Sequence, residues 1–83
     1  MTIPLYTFVR GDSLGLILLV DEAHSIAEVA TRAQRAAAMR VAPAARVGVY
    51  RANVRLNPKL TVASAGLAPL DRIDILPEPL NGV

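Results

Sequence analysis

The sequence contains no cysteine and no tryptophan, and it has one histidine, His24, and three other aromatic side chains. Without thiols, neither a disulfide framework nor a cysteine-based zinc or iron–sulfur site can form, and a reducing cytoplasm is the expected compartment. A single histidine cannot complete a two-histidine metal site or a serine–histidine–aspartate triad within this chain. We therefore predict no catalytic, cofactor-binding or metal-ligating residue here.

Long hydrophobic runs are also missing. The longest, Leu14 to Val20, has the length of a buried strand, far short of the ~20 residues of a membrane helix. The opening residues MTIPLYTF lack the basic and apolar regions of a signal peptide. We expect no membrane association. At 83 residues the chain is predicted to be a single domain, 1–83, with an ordered core over 3–78 and a tail over 79–83.

The charge pattern does not favour nucleic acid as a partner. The formal net charge is only +2, the arginines are dispersed, and no aromatic stacking motif is present. Hydrophobic residues nevertheless make up 53% without glycine, against about 45–50% with glycine in ordinary domains. All basic residues except Lys59 are arginine, which is enriched where protein surfaces meet. Either a protein partner or a GC-rich genome would explain this composition.

One helix is predicted from Ser25 to Arg40. Ser25 followed by Glu28 forms a capping box that begins the helix, and Pro43 prevents its continuation. The face expected to pack on a sheet is mostly alanine, which permits close approach but removes little apolar area from water. This face comprises Ile26, Val29, Ala30, Ala33, Ala36, Ala37 and Arg40.

The remaining segments favour strands. Two of them form a hairpin through Gly11-Asp12, which suits a two-residue primed turn. In that hairpin we expect Leu5 to face Leu18 and Ile3 to face Val20. A short turn capped by Thr61 precedes the last strand. The predicted strands are Ile3–Val9, Leu14–Val20, Arg46–Arg51, Val54–Leu56 and Asp71–Leu76.

This order of elements predicts an α+β fold of the β-grasp type, as in ubiquitin. A hairpin is followed by a crossover helix, and the final strand returns beside the first in a mixed sheet of four or five strands. One main helix then covers one face of that sheet. A ubiquitin-like modifier would need a C-terminal Gly-Gly, and this sequence ends Leu80-Asn81-Gly82-Val83.

The hairpin has more apolar surface than one core face requires. If Leu5 and Leu18 face the core, Tyr6, Phe8, Ile17 and Leu19 lie on the opposite side, where a solvated sheet normally carries polar residues. A bulge would exchange the two faces, and scattered surface apolar residues are common. We predict that this side docks onto another protein. The predicted interface consists of Tyr6, Phe8, Ile17, Leu19, Arg51 and Arg55.

Several passages resemble the small γ (B) subunit of soluble bacterial multicomponent di-iron monooxygenases of the toluene and alkene type. The most specific runs from Leu56-x-Pro58 through Thr61 and Ala65-Gly66-Leu67 to Ile73-Asp74 and Glu78. The hairpin leading into Val20-Asp21 and the helix end Arg40-Val41-Ala42-Pro43 also match, as does Tyr50-Arg51. The similarity covers about residues 4 to 78.

The resemblance implies a ubiquitin-like, non-catalytic subunit of a hydroxylase that contains two copies each of α, β and γ subunits. In that family the α subunit holds the di-iron centre, and a ferredoxin, an NADH-dependent reductase and an effector protein act on the same complex. Whether the substrate is an arene or an alkene stays open, because substrate contacts would lie in another polypeptide. The alternative is a free-standing ubiquitin-like interaction domain with a different client.

Overall fold

The helix and strands occur in the predicted order. A computed structural model describes residues 1–79, so the predicted tail lies outside the described residues except for Pro79. The boundaries differ from the predicted ones by a few residues at most. The elements are β1 (Thr2–Val9), β2 (Gly15–Asp21), α1 (Ile26–Ala37), β3 (Val47–Arg51), β4 (Val54–Arg55) and β5 (Arg72–Pro77).

The strands form a five-stranded mixed sheet in the order β2-β1-β5-β3-β4. β1 pairs antiparallel with β2 and parallel with β5, and β3 pairs antiparallel with both β5 and β4. A parallel pair cannot be joined by a tight turn, and here α1 lies in the connection and covers one side of the sheet. This is the β-grasp topology that the element order predicts.

The hairpin has the predicted register, with Ile3 opposite Val20 and Leu5 opposite Leu18. The predicted two-residue primed turn is wrong. The Asp12 N–H donates to the Val9 carbonyl at 2.9 Å, and Gly11 has φ +93°, which places Gly11 at the third position of a type II turn. A primed turn would put the positive φ at the second position, so the connection is wider and β2 begins only at Gly15.

The helix begins as predicted and ends earlier. The Ser25 hydroxyl oxygen accepts the Glu28 N–H at 3.1 Å and donates to the Glu28 carboxylate at 3.4 Å. At the other end the Arg40 and Val41 N–H groups both donate to the Ala37 carbonyl, which tightens the chain into a turn. The predicted extension to Arg40 is therefore wrong, and Ala36 is exposed rather than packed on the sheet.

The core lies between α1 and one face of the sheet. Successive β1 residues alternate, so that Ile3, Leu5, Thr7 and Val9 are buried against α1 and its neighbours. The hydroxyl of Thr7 donates to the Leu5 carbonyl at 3.2 Å, which satisfies the buried polar group. The rest of the core consists of Val20, Ile26, Val29, Ala30, Ala33, Ala37, Val49, Val62, Leu67, Ile73 and Ile75.

The predicted short turn fastens the start of α1. Thr61 caps it, since its hydroxyl oxygen accepts the Ser64 N–H at 3.1 Å, and Gly66 closes it with φ +75°. The Ile26 N–H donates to the Leu60 carbonyl at 2.8 Å, so the turn holds the helix N-terminus. Within the described residues, no helix is long and apolar enough to cross a membrane.

Candidate docking face of the sheet

The sheet surface opposite α1, here called the outer face, is formed by the residues that alternate with the core residues. Its β2 and β1 part, the apolar half, contains Pro4, Tyr6, Phe8, Ile17 and Leu19. Its other part lies on β5, β3 and β4 and on the residue that follows β5. This part, the charged half, contains Tyr50, Arg55, Arg72, Asp74 and Glu78, with Leu76 between the last two. The period-two alternation of the strands produces this separation.

The apolar half is open to solvent. The exposed fraction is 44% for Tyr6, 57% for Ile17 and 60% for Leu19, while Phe8 is half-buried. Single exposed apolar residues are ordinary on protein surfaces, but these lie on neighbouring strands and form a contiguous patch. The structure thus brings together four of the six predicted interface residues.

Aromatic packing fixes the shape of the apolar half. The ring centroids of Tyr6 and Phe8 are 4.8 Å apart at an interplanar angle of 49°, and the Arg72 guanidinium carbon lies 4.2 Å from the Phe8 centroid. Gly15 of β2 lies opposite Phe8, and a Cβ built at Gly15 would lie 2.7 Å from a Tyr6 ring carbon. Any larger residue at this position would therefore displace the Tyr6 ring. The two rings form a preorganised surface.

The charged half is held by an internal network around Glu78. Arg55 donates to both carboxylate oxygens of Glu78, at 2.6 Å and 3.0 Å, and the Tyr50 hydroxyl donates to one of them at 2.7 Å. Hydrogen bonds from Arg55, then from Tyr50, lower the pKa of Glu78 to about 2. The same bond to Glu78 raises the pKa of Tyr50. Arg55 is thereby fixed on the outer face at the far edge from β2.

Gly48 makes this network possible. A Cβ built at Gly48 would lie 2.5 Å from a Glu78 carboxylate oxygen and 3.0 Å from a Tyr50 ring carbon. Any larger residue would displace the carboxylate from its hydrogen bonds. The close approach of Glu78 to the backbone of β3 therefore requires glycine at this position.

Arg51 does not join the outer face. Its guanidinium donates to the Gly66 carbonyl at 3.0 Å and to Asp71 at 3.4 Å. These bonds tie the end of β3 to the turn that follows Thr61. Of the two arginines in the predicted interface, the structure places Arg55 on the outer face and Arg51 in a structural link between elements.

The histidine serves the backbone rather than a reaction centre. His24 accepts the Asp21 N–H through Nδ1 at 3.1 Å, and its Nε2 lies 3.9 Å from the Glu28 carboxylate. It thus caps the end of β2 just before α1. Across residues 1–79, no group of three or more histidine, aspartate or glutamate side chains could hold a metal ion.

A groove of about 310 Å³ lies between α1 and β3. Its polar lining is already engaged: the Gln34 amide both accepts from and donates to the Ala44 backbone, and Glu78 is bound by Arg55. No buried side-chain nitrogen or oxygen in the described part of the chain lacks a hydrogen-bond partner. The groove therefore presents no convergent polar groups to a ligand.

Sequence reasoning missed the Tyr50, Arg55 and Glu78 network. Its members are separated by up to 28 residues, and no local spacing indicates that they meet. The one signal is Gly48 inside a strand pattern, which is typical of a close approach by another group. That signal predicts a neighbour at this position without identifying it.

The topology, a small sheet covered by one helix, defines a ubiquitin-like protein of the β-grasp class. The chain matches a Caldiarchaeum subterraneum ubiquitin with a TM-score of 0.73 and 19% identity, over 99% of this chain and 100% of that one. It also matches the ubiquitin-like domain of an Arabidopsis thaliana protein with a TM-score of 0.69 and 14% identity, over 96% of this chain and 81% of that one. At these identities the likeness concerns the fold.

A more specific likeness identifies the family. The profile of toluene-4-monooxygenase system protein B (TmoB) matches residues 2–76, and the chain belongs to this family. A chain of the toluene 4-monooxygenase HD complex with the inhibitor 4-bromobenzoate matches with a TM-score of 0.87 and 26% identity, over 94% of this chain and 100% of that one. A search of curated protein sequences finds no significant match. The predicted resemblance is confirmed: the chain belongs to the family named for protein B of a toluene-4-monooxygenase system, and it is similar in structure to a chain of a toluene 4-monooxygenase complex.

Proposed function

We propose that this chain is the non-catalytic γ subunit of the hydroxylase component of a multicomponent di-iron monooxygenase. The enzyme would use O2 and electrons from NADH to oxidise an aromatic or alkene hydrocarbon in the cytoplasm. The observation that carries this proposal is the family match over residues 2–76, and the match to a chain of a toluene 4-monooxygenase complex supports it. A chain with one histidine, already engaged by Asp21, suits a supporting role.

In this proposal the di-iron centre belongs to the α subunit of the hydroxylase. A centre of that kind requires several carboxylate and histidine ligands, as in helical Glu-x-x-His pairs. The absence of a metal-binding group in residues 1–79 supports placing the iron in the partner. The β subunit would complete the assembly with two copies of each chain, and ferredoxin, reductase and effector would act on that complex.

The outer face is the proposed contact with the α subunit. Its apolar half exposes Tyr6, Ile17 and Leu19, and aromatic side chains with apolar neighbours are the usual core of an interface. Arg55, held in place by Glu78, would lie at the polar rim with little conformational freedom to lose on binding. Arg51 stays a predicted contact, although its bonds to Gly66 and Asp71 occupy its guanidinium.

Co-expression with the α subunit tests the proposal. The two genes are expressed together, the α subunit carries an affinity tag, and the amount of this chain that co-purifies is measured. Leu19→Asp should weaken retention at least tenfold, which corresponds to about 1.4 kcal/mol, because it places a charge in the apolar half. Lys59→Glu, also exposed but at a distance from the outer face, is the matched control and should leave retention unchanged.

Two results would contradict the proposal. If the unmodified chain does not co-purify with the α subunit, the free-standing ubiquitin-like domain becomes the better description. If Leu19→Asp and Lys59→Glu behave alike while the wild-type chain binds, the chain is a hydroxylase subunit that docks through another surface.

A further inference from the structure

The two edges of the sheet are built differently. At one edge β4 has only two residues, one of them Arg55, and a short charged strand of this kind protects an edge against pairing with another chain. At the other edge β2 has seven residues, GLILLVD, with no proline and no charge before Asp21. Proteins normally protect edges with lysine, proline, bulges or a covering element, because an unprotected edge is a template for another strand. β2 has none of these.

The backbone of β2 offers free hydrogen-bonding groups in a known direction. The Tyr6 N–H donates to the Asp71 carbonyl, and the Pro4 carbonyl accepts the Leu70 N–H, so these β1 residues direct their peptide groups away from β2. In an antiparallel pair, two residues directly opposite each other either both direct their N–H and C=O groups towards the partner strand or both direct them away from it. Ile17, opposite Tyr6, and Leu19, opposite Pro4, therefore direct their N–H and C=O groups outward from the sheet.

The edge also has a defined end. The next outward N–H along β2 belongs to Asp21, and it is accepted by His24 Nδ1 at 3.1 Å. The outward groups of Ile17 and Leu19 bond to no other described residue. A pairing strand can thus extend along β2 as far as His24 and not past it.

The flanks of this edge indicate what kind of strand fits. On one side Ile17 and Leu19 are exposed, and on the helix side Leu18 is half-buried at the floor of a groove of about 510 Å³. Arg32 and Arg35 of α1 line that groove and form no ion pair within residues 1–79. The single carboxylate there, Glu28, already contacts Ser25 and His24. The groove is therefore apolar on the β2 side, at Leu18, and positively charged on the α1 side, at Arg32 and Arg35.

We propose that β2 pairs with an extended, acidic segment of the hydroxylase α subunit, which adds a further strand to the sheet. The identity of the partner rests on the proposed function above. Main-chain hydrogen bonds between the segment and Ile17 and Leu19 supply the affinity. Every second side chain of the segment is apolar and packs beside Leu18, and its carboxylates form ion pairs with Arg32 and Arg35. A second copy of this chain fits less well, because antiparallel pairing of two β2 strands would bring the arginines of both helices together.

Substitutions at Ile17 separate the contribution of its backbone N–H to binding from that of its side chain. Ile17→Ala removes side-chain contacts but keeps the outward N–H, whereas Ile17→Pro removes that N–H without breaking a bond to β1. With tagged α subunit, we expect a loss of about threefold for Ile17→Ala and a further loss of at least tenfold for Ile17→Pro. Circular dichroism and thermal unfolding of each variant check the fold, and a synthetic chain with N-methylated Ile17 replaces Ile17→Pro if that variant is unfolded.

Salt dependence tests the acidic character of the segment. Binding of the wild-type chain should weaken as NaCl is raised, and the double variant Arg32→Ala and Arg35→Ala should bind more weakly with a smaller dependence on salt. An unchanged dependence in the double variant would overturn the acidic assignment. Equal binding of Ile17→Ala and Ile17→Pro would overturn strand pairing while leaving the hydroxylase assignment intact.

If the wild-type chain does not bind the α subunit, the proposed function fails and a synthetic peptide decides the question of the edge. The peptide alternates valine and threonine and ends in glutamates, and it is titrated into the ¹⁵N-labelled chain. Shifts confined to the amides of Ile17, Leu19 and their neighbours would support strand pairing with a different acidic partner. If the amides of Ile17 and Leu19 do not shift, the proposal of strand pairing is overturned. If the chain forms a dimer through β2 without peptide, the edge pairs with a second copy of this chain and not with an acidic partner.

Discussion

Adjacent residues of β1 have opposite surroundings although most of them are apolar. Ile3 and Leu5 are buried against α1, whereas Tyr6 is 44% exposed on the outer face. The inner residues are covered by the chain's own helix, whereas on the outer face the Tyr6 side chain is left exposed and the Phe8 ring is overlain by the Arg72 guanidinium. Hydrophobicity by itself therefore does not distinguish the residues that stabilise the fold from those available to a partner, and the position within the strand alternation does.

The outer face repeats this contrast between its two halves. In the charged half, Glu78 accepts the hydrogen bonds of Arg55 and Tyr50, so these polar groups have partners within the chain. In the apolar half, Ile17 and Leu19 have no such internal partner. We infer that the charged half contributes to folding and the apolar half to assembly, and three measurements on the isolated chain test this division.

The largest effect is expected at the inner side of the hairpin. Leu5→Ala should lower the free energy of unfolding by about 2–5 kcal/mol, because Leu5 is fully buried and its loss leaves a cavity. Leu19→Ala, with the same chemical change at an exposed site of the same hairpin, should cost about 0.5 kcal/mol or less. Urea denaturation measures both. Equal losses would mean that the outer face is part of the folding core.

A smaller effect is expected at Gly48. Gly48→Ala should lower the free energy of unfolding by about 1 kcal/mol, because the added Cβ displaces the Glu78 carboxylate from Arg55 and Tyr50. The same substitution made in a Glu78→Ala background should cost clearly less, since the carboxylate is gone and only the Tyr50 ring, 3.0 Å from the added Cβ, remains to be displaced. Additive effects in this double-mutant cycle would contradict the proposed role of Gly48.

The smallest effect is expected from Glu78→Gln, with a cost of about 0.5 kcal/mol at neutral pH because Arg55 is partly solvated. The folded-state pKa of about 2 lies below the ordinary value of 4.5, so Glu78 stabilises the fold above pH 4.5. The difference between wild type and variant should shrink as the pH falls from 4.5 towards about 2. Thermal unfolding across this range measures it, and a constant difference would show that the charge is not involved.

The fold was predictable because its signals are local. The Ser25 and Glu28 cap, the alternating hairpin and Thr61 before the turn each depend on residues close in sequence. The turn at Gly11 was predicted wrongly because glycine fits either central position, and only the hydrogen bond from Asp12 decides between them.

The site was predictable only in part, again for a physical reason. Tyr6, Phe8, Ile17 and Leu19 follow from strand alternation in a single hairpin, so the sequence contains the necessary information. The partners of Arg51 and Arg55 are 15 to 23 residues distant, and they depend on how β3, β4 and β5 come together. Two arginines that look equivalent in the sequence therefore have different positions: Arg51 links β3 to the turn after Thr61, and Arg55 lies on the outer face.

The parallel pairing of β1 with β5 has a consequence for synthesis on the ribosome. Residues 2–9 emerge from the ribosome well before residues 72–77, which become their neighbour in the centre of the sheet. Until then the nascent hairpin presents apolar side chains on both surfaces, a state prone to aggregation. Yield in a heterologous host should therefore respond to translation speed and chaperone supply more than the small size of the chain suggests.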